Sequence, residues 1–246
     1  MIGGRVVRGL LKRLGRDVVA YDYRTHPVAR RMHLMKKFGI GLVIDIGANV
    51  GGFGLELRKL GYKGRIVSFE PLKAAYAELQ QAADGDPAWT TFNCGIGSQD
   101  GVAEINVAAN VQSSSLLAML PRHLGSAPES AYQSRQETSI RTLDSMLPEI
   151  AADGEIIYLK SDTQGYEAEV LKGATQTLKR VAGVQMELSL LPLYEGETLL
   201  ADMINEMREK GFQLMSIEEA FSDPATGQLL QVDGIFFRDA TSSDPR

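Results

Sequence analysis

Four acids stand at or near the ends of short apolar runs: Asp45 in LVIDI, Glu70 in RIVSFEP, Asp162 in IIYLKSD and Glu187 in VQMELSL. A carboxylate in such a place can accept hydrogen bonds from hydroxyls, take a proton, or hold a cation. The first acid is followed by Gly47, Gly51, Gly52 and Gly54 in the stretch VIDIGANVGGFG. Run, glycine turn and the LELRKLGY that follows read as strand, loop and helix, the way α/β proteins cradle a nucleotide. The spacing is not the dinucleotide-binding G-x-G-x-x-G, because Asn49 takes the place of the second close glycine. Asp45 would repel a pyrophosphate in that turn. It suits a positive ligand instead, such as the ammonium or sulfonium of S-adenosylmethionine. Glu70 follows Gly51 by nineteen residues, a place from which a carboxylate accepts hydrogen bonds from vicinal ribose hydroxyls. Asn49 offers an amide to a carboxylate or ribose, and Asn93 and Cys94 are expected beside an adenine ring.

Were the methyl acceptor an alcohol, removal of its proton would need a base or a metal. Asp162 is expected at the end of the fourth core strand, where open α/β sheets bind ligands, with Glu187 in the fifth. Two arrangements stay open. Asp162 or a nearby histidine is a general base, or Asp162 and Glu187 hold a divalent ion such as Mg²⁺. Of three histidines, His26 lies in YDYRTHP ahead of the first core segment and His123 lies in an insertion; these two can close over a site. Asp162 is also placed to cap the helix behind it. Tyr166 and Glu167 can orient substrate or simply pack. Ser113, Ser114 and Ser115 can donate to adenine or substrate, or form a turn.

The elements that must position these groups alternate. Strands are expected at 42–46, 65–69, 90–94, 156–162, 184–190, 212–217 and 233–238, with helices after Gly51 and over 72–83, 166–180 and 197–211. Such alternation predicts an α/β, doubly wound, mostly parallel seven-stranded sheet, closing with an antiparallel C-terminal strand pair. The stretch 100–142 opens like a strand and then turns Ser-, Gly- and Pro-rich, either a lid or a plain connection. With 246 residues, 44% hydrophobic and 23% charged, the chain reads as a soluble globular protein. Its organisation is expected as a basic helical arm (1–40), one main domain (41–240) and a frayed tail (241–246). The single cysteine, Cys94, excludes an internal disulfide and suits a cytoplasmic protein. No apolar run is long enough to span a bilayer. The net charge of −5 hides an asymmetry: residues 1–37 carry ten Lys or Arg against Asp17 and Asp22, which makes them +8 and the remainder −13. Val7, Leu10, Leu11 and Leu14 fall at helical spacing there, so the arm either packs on the domain or on a second subunit, or touches an anionic partner or membrane surface.

VIDIGANVGGFG, FEP, NCGIGSQDG, SSSLL, RTLDSML, LKSDTQGYEAEVLKGA and ELSLLPLYEG, in that order, resemble the successive blocks of FkbM-type methyltransferases from about residue 42 to 238. Ser161 departs from the pattern, since an aliphatic residue usually precedes the aspartate; a change of packing is expected there. The resemblance implies a class I, Rossmann-like methyltransferase fold, S-adenosylmethionine as cofactor, and O-methylation of a small-molecule or glycan hydroxyl (polyketide, sugar or glycolipid). The cofactor set it implies is Asp45, Gly47, Ala48, Asn49, Gly51, Phe53, Glu70, Pro71, Asn93, Cys94, Ser115 and Asp162. Asp162, Glu187 and His26 are the catalytic candidates. A homodimer is open, and no nucleic-acid partner is expected because the acidic body would repel a phosphate backbone. The competing readings are a nicotinamide-dependent oxidoreductase and a non-catalytic or nucleic-acid-directed S-adenosylmethionine-binding domain.

Overall fold

The computed structural model describes residues 11–16 and 18–238. Strands β1 (Leu42–Ile46), β2 (Arg65–Phe69), β3 (Trp89–Phe92), β7 (Ile157–Ser161), β8 (Val181–Ser189), β9 (Phe212–Ser222) and β10 (Leu229–Arg238) form one seven-stranded sheet. Their order is β3-β2-β1-β7-β8-β10-β9. The first five are parallel to one another, and β10 runs antiparallel to both β8 and β9. This is the α/β, mostly parallel sheet with an antiparallel C-terminal pair that the alternation predicts.

Strands covered on both faces need apolar residues in both phases, and β1, LVIDI, is buried throughout. Leu42, Ile44 and Ile46 enter one core with Leu159, Val184 and Met186. Helices α5 (Leu143–Ile150), α6 (Glu167–Lys172) and α7 (Leu200–Glu209) cover that face through Met146, Val170 and Met203. Val43 faces a second core, where α1 (Pro27–Lys37), α2 (Gly52–Lys59) and α3 (Lys73–Ala83) contribute Leu34, Leu57 and Leu79. Gly54 of α2 is required by packing: a Cβ there would lie 2.2 Å from the Trp89 indole.

The insertion is more ordered than its composition suggests. β4 (Gly95–Ile96), β5 (Gly101–Ala108) and β6 (Tyr132–Arg141) form a second sheet in the order β4-β6-β5, and α4 (Pro121–Ser126) lies between β5 and β6. The insertion's ends are held together, because β4 pairs in parallel with the end of β6 and the Gly97 N–H donates to the Arg141 carbonyl at 3.0 Å. The expected helix over 166–180 is α6 followed by a 3₁₀ turn at Thr177–Arg180.

Of the expected arm helix, Val7 and Leu10 lie outside the described residues, as does the tail 241–246. Residues 11–13 are helical, and the chain from Val18 runs irregularly to α1. That helix is pinned to the body by Arg31, a buried side chain paired with Glu56 at 2.7 Å and Glu218 at 3.3 Å.

Candidate active site

Strand order reverses at β1 and β7, so the loops after these neighbours diverge and leave a crevice at their C-terminal ends. Gly47 makes the first turn, with φ +73°, and sits so close to the β7 loop that a Cβ would lie 1.8 Å from the Asp162 carbonyl oxygen. Gly47 and Ala48 donate their N–H groups to the Phe69 carbonyl, each at 3.0 Å. Asn49 is left-handed (φ +48°), a conformation asparagine tolerates better than most side chains. Its N–H donates to Glu70 Oε2 at 2.8 Å, while the Leu72 N–H donates to Oε1 at 2.8 Å. The carboxylate is thereby fixed at the end of β2. Burial nevertheless raises its pKa to about 7, against those two amides.

Above these loops lies a cavity of about 510 Å³. Gly47, Ala48, Asn49, Phe53, Glu70, Pro71 and Cys94 line one part of it. Lys160, Asp162, Gln164, Glu187 and Gln231 line another, and Ser113–Leu116 with His123 close it from the insertion. The size is in the range of small-molecule sites. Asn49 Oδ1 and His123 Nδ1 are buried polar atoms without a hydrogen-bond partner, the condition a bound ligand relieves.

The polar wall is a charge seam across β1, β7, β8 and β10. Lys160 Nζ lies 3.2 Å from Asp162 Oδ2 and 3.7 Å from Asp45 Oδ1, and the two acids outweigh burial to keep the ammonium charged well above its ordinary range. The same Nζ lies 5.3 Å from the Phe53 ring centroid, and the Arg31 guanidinium lies 5.1 Å from that centroid. Gln164, left-handed at φ +54°, joins the wall together. Its Nε2 donates to Asp162 Oδ1 at 3.0 Å and to Glu187 Oε2, and its Oε1 accepts from the Tyr194 hydroxyl at 2.6 Å. Its carbonyl accepts from the Ser115 hydroxyl at 2.7 Å, so insertion, sheet and the 190–197 loop meet on one residue. Gln231 Nε2 also donates to Glu187 Oε2, at 3.1 Å. Burial, then the nearby Asp162, Asp233 and Glu167 carboxylates, push the Glu187 pKa well above the ordinary range.

Four expected site residues do not line the cavity. Asp45 is fully buried and does not line the cavity; within β1 its Cα is paired with Lys160 of β7, and that lysine is its cation. Gly51 turns toward Ala82 and Leu79 of α3. Asn93 spends its amide on the Glu70 and Pro71 carbonyls, at 2.8 and 3.2 Å. His26 caps α1, its Nδ1 accepting from the Ala29 N–H at 3.5 Å, away from the cavity lining. His123 is the imidazole in the lining, its ring against Tyr194 and Phe221 at 5.1 and 5.5 Å between centroids. Asp162 and Glu187 do come together, but the divalent ion left open for them finds no support in this wall. Gln164 bridges the two carboxylates with an amide donor, Lys160 supplies the local positive charge, and no group of three or more His, Cys, Asp or Glu suited to a metal occurs among the described residues.

A sequence profile described as the methyltransferase FkbM domain matches residues 45–214, well over half of the chain. The chain belongs to the FkbM methyltransferase family. Methyltransferase sdnD of Sordaria araneosa is 27% identical over 158 residues, which cover 54% of this chain and 60% of sdnD. The crystal structure of an FkbM methyltransferase from Methylobacillus flagellatus aligns with 79% of this chain and 43% of its own at 18% identity and a TM-score of 0.48. A putative RNA methyltransferase of Pyrococcus horikoshii aligns with 85% of this chain and 83% of its own at 15% identity and a TM-score of 0.45. The chain thus spans 60% of the length of sdnD and less than half of the Methylobacillus chain.

Lys160, Gln164 and Tyr194 of the matched FkbM domain, and Gln231 beyond it, belong to this wall and are not marked out by the sequence. A signal for Lys160 exists: a lysine inside a fully buried parallel strand must be paired, and Asp162 stands two residues on, in SD.

Proposed function

We propose that this chain is an S-adenosylmethionine-dependent O-methyltransferase whose acceptor is a hydroxyl of a small molecule or glycan. The observation that carries the reading is one cavity joining the fixed Glu70 carboxylate, the Gly47 turn and the unpartnered Asn49 amide oxygen to the wall of Asp162, Gln164, Glu187 and His123. The cofactor, when bound, supplies an electrophilic methyl group on a sulfonium centre.

The residues present suit it. Glu70 would accept the ribose hydroxyls with the lone pairs its two backbone donors leave free. Phe69, Cys94 and Ile96 offer the adenine an apolar surface. Gly47 lets the main chain approach without a side chain. On the acceptor side, in-line transfer asks mainly for alignment, and Gln164 with Gln231 holds the Glu187 carboxyl in one orientation. A base must also take the hydroxyl proton. Burial lowers the His123 pKa below its ordinary value, so the imidazole is neutral at pH 7 with Nδ1 unpartnered. His123 and Asp162 are therefore the groups assigned to that proton, and His26 is not.

Calorimetry against S-adenosylmethionine and against NAD tests the cofactor: binding of the first and not the second is expected, and the reverse overturns the reading. Incubation with methyl-labelled cofactor and a hydroxyl-rich small-molecule extract should give a labelled ether stable to mild alkali. Label found in amine or nucleic-acid products would overturn the acceptor assignment.

A further inference from the structure

Five large apolar side chains are exposed within ten residues of one another. Leu14 is 69% exposed, and Val18, Val19, Tyr21 and Tyr23 are between 46% and 59% exposed. Scattered exposed apolar residues need no explanation, but a contiguous run does. The run does not end in isolation. Arg30 of α1 donates to the Tyr23 and Arg24 carbonyls at 3.1 and 3.0 Å and to the Ser216 hydroxyl at 3.2 Å. This brings the end of the run beside β9, the edge strand of the main sheet, where Met215 and Ile217 flank Ser216 and are also exposed.

Cations are interleaved with these side chains. Lys12, Arg13 and Arg16 stand among them in sequence, Arg24 follows, and Lys36 and Lys37 close α1. In sequence, residues 11–24 carry Lys12, Arg13, Arg16 and Arg24 against Asp17 and Asp22, a balance of +2, while residues 38–246 are −13, so this segment attracts what the rest of the molecule repels. A nucleic acid would use the charge and leave the aliphatic side chains without a role. A second copy would be expected to meet an apolar centre with a polar rim. Here apolar, aromatic and basic side chains alternate along the sequence, with Asp17 and Asp22 among them and Asp22 paired to Arg24 at 2.8 Å, a composition that suits segments lying in the headgroup boundary of a bilayer. Tyrosines at two of the five positions suit that boundary as well.

We propose that residues 11–16 and 18–24, with the Met215–Ile217 edge of β9, form a docking face for an anionic lipid surface, independently of the methyl-transfer site. Sedimentation of the full chain with vesicles tests this, using phosphatidylcholine alone and phosphatidylcholine with 30 mol% phosphatidylglycerol (roughly the anionic content at which such patches respond). The chain should pellet with the anionic vesicles at about 0.1 M salt and leave them at about 0.5 M, as screening requires. The double variant Arg13→Glu, Arg16→Glu should weaken partitioning at least about 25-fold, taking roughly fivefold per basic residue. Val19→Asp with Tyr21→Asp should weaken it about tenfold or more at unchanged charge on the bases. All four side chains lie outside the buried core, so an unchanged melting temperature serves as the folding check. Absence of binding to anionic vesicles, or binding indifferent to both double variants, overturns the proposal. So does light scattering that finds a dimer which Val19→Asp with Tyr21→Asp dissociates while vesicle binding is absent.

Discussion

Replacing Gly47 by alanine probes the joint between the two loops that make the crevice. The added Cβ would lie 1.8 Å from the backbone oxygen of Asp162 and 2.9 Å from its carbonyl carbon. Neither is a side-chain tip that could swing aside, so the β1 and β7 loops must separate by more than an ångström. Alanine at φ +73° adds about 1–2 kcal/mol of backbone strain. Separation also loosens the Asp162 N–H bond to Ile46 O and the Gly47 N–H bond to Phe69 O, both 3.0 Å, at about 1 kcal/mol each. The expected loss is therefore about 3–4 kcal/mol, read as a lower urea midpoint at unchanged slope. Because Asn49 and Asp162 move with the loops, affinity for S-adenosylmethionine by calorimetry should fall at least about tenfold. Gly52→Ala is the control: it is the first residue of α2, nothing lies within 4 Å of its Cβ position, and stability should stay within about 1 kcal/mol. A Gly47→Ala protein within about 1 kcal/mol of the parent, with unchanged cofactor affinity, would refute the loop contact on which the site is built.

Ser161 is buried with its hydroxyl unpartnered, so Ser161→Ala should raise stability by about 1 kcal/mol in urea unfolding; a loss of that size would mean the hydroxyl is satisfied. Burial raises the folded-state pKa of Glu70 and of Glu167 to about 7 from an ordinary 4.5. The folded chain then holds protons that the unfolded chain has released. Stability should decline as pH rises from about 4.5 to 7, by on the order of 3 kcal/mol per acid, and a flat profile there would contradict the burial of these two acids. Tyr194→Phe leaves Gln164 Oε1 without its 2.6 Å donor. It should cost about 1–3 kcal/mol, measured by thermal unfolding, and a neutral result would remove Gln164 from the centre of the wall.

Much of this architecture is legible in the sequence because its strands are buried on both faces. LVIDI and RIVSF, bounded by glycine and proline turns, mark β1 and β2 to the residue. β6 is not legible for the converse reason: YQSRQETSIR is mostly exposed along its length, so no apolar alternation announces it and it reads as loop. In the site, Glu70 and Asp162 can be placed because they end strands. The partner of Asp45 is a matter of register: sequence shows an acid one residue short of the turn, and only the pairing of strands sets it opposite Lys160. Gln164 escapes notice because its role depends on Asp162, Glu187, Tyr194 and Ser115 arriving from four segments. His123 escapes assignment because the insertion's path cannot be traced from its composition.

The clasp that closes the insertion has a consequence for how such a protein can change. The segment between Gly97 and Thr142 departs and returns at neighbouring points, with Gly95 and Ile96 paired to Ile140 and Arg141. A segment whose ends already touch can be lengthened, shortened or exchanged with little effect on the remainder of the chain. The insertion's share of the cavity wall, Ser113–Leu116 with His123, can then vary as a cassette while the frame keeps the rest. Transplanting that cassette between relatives, cut at Gly97 and Thr142, offers a route to new acceptors that leaves the Gly47 turn and Glu70 untouched.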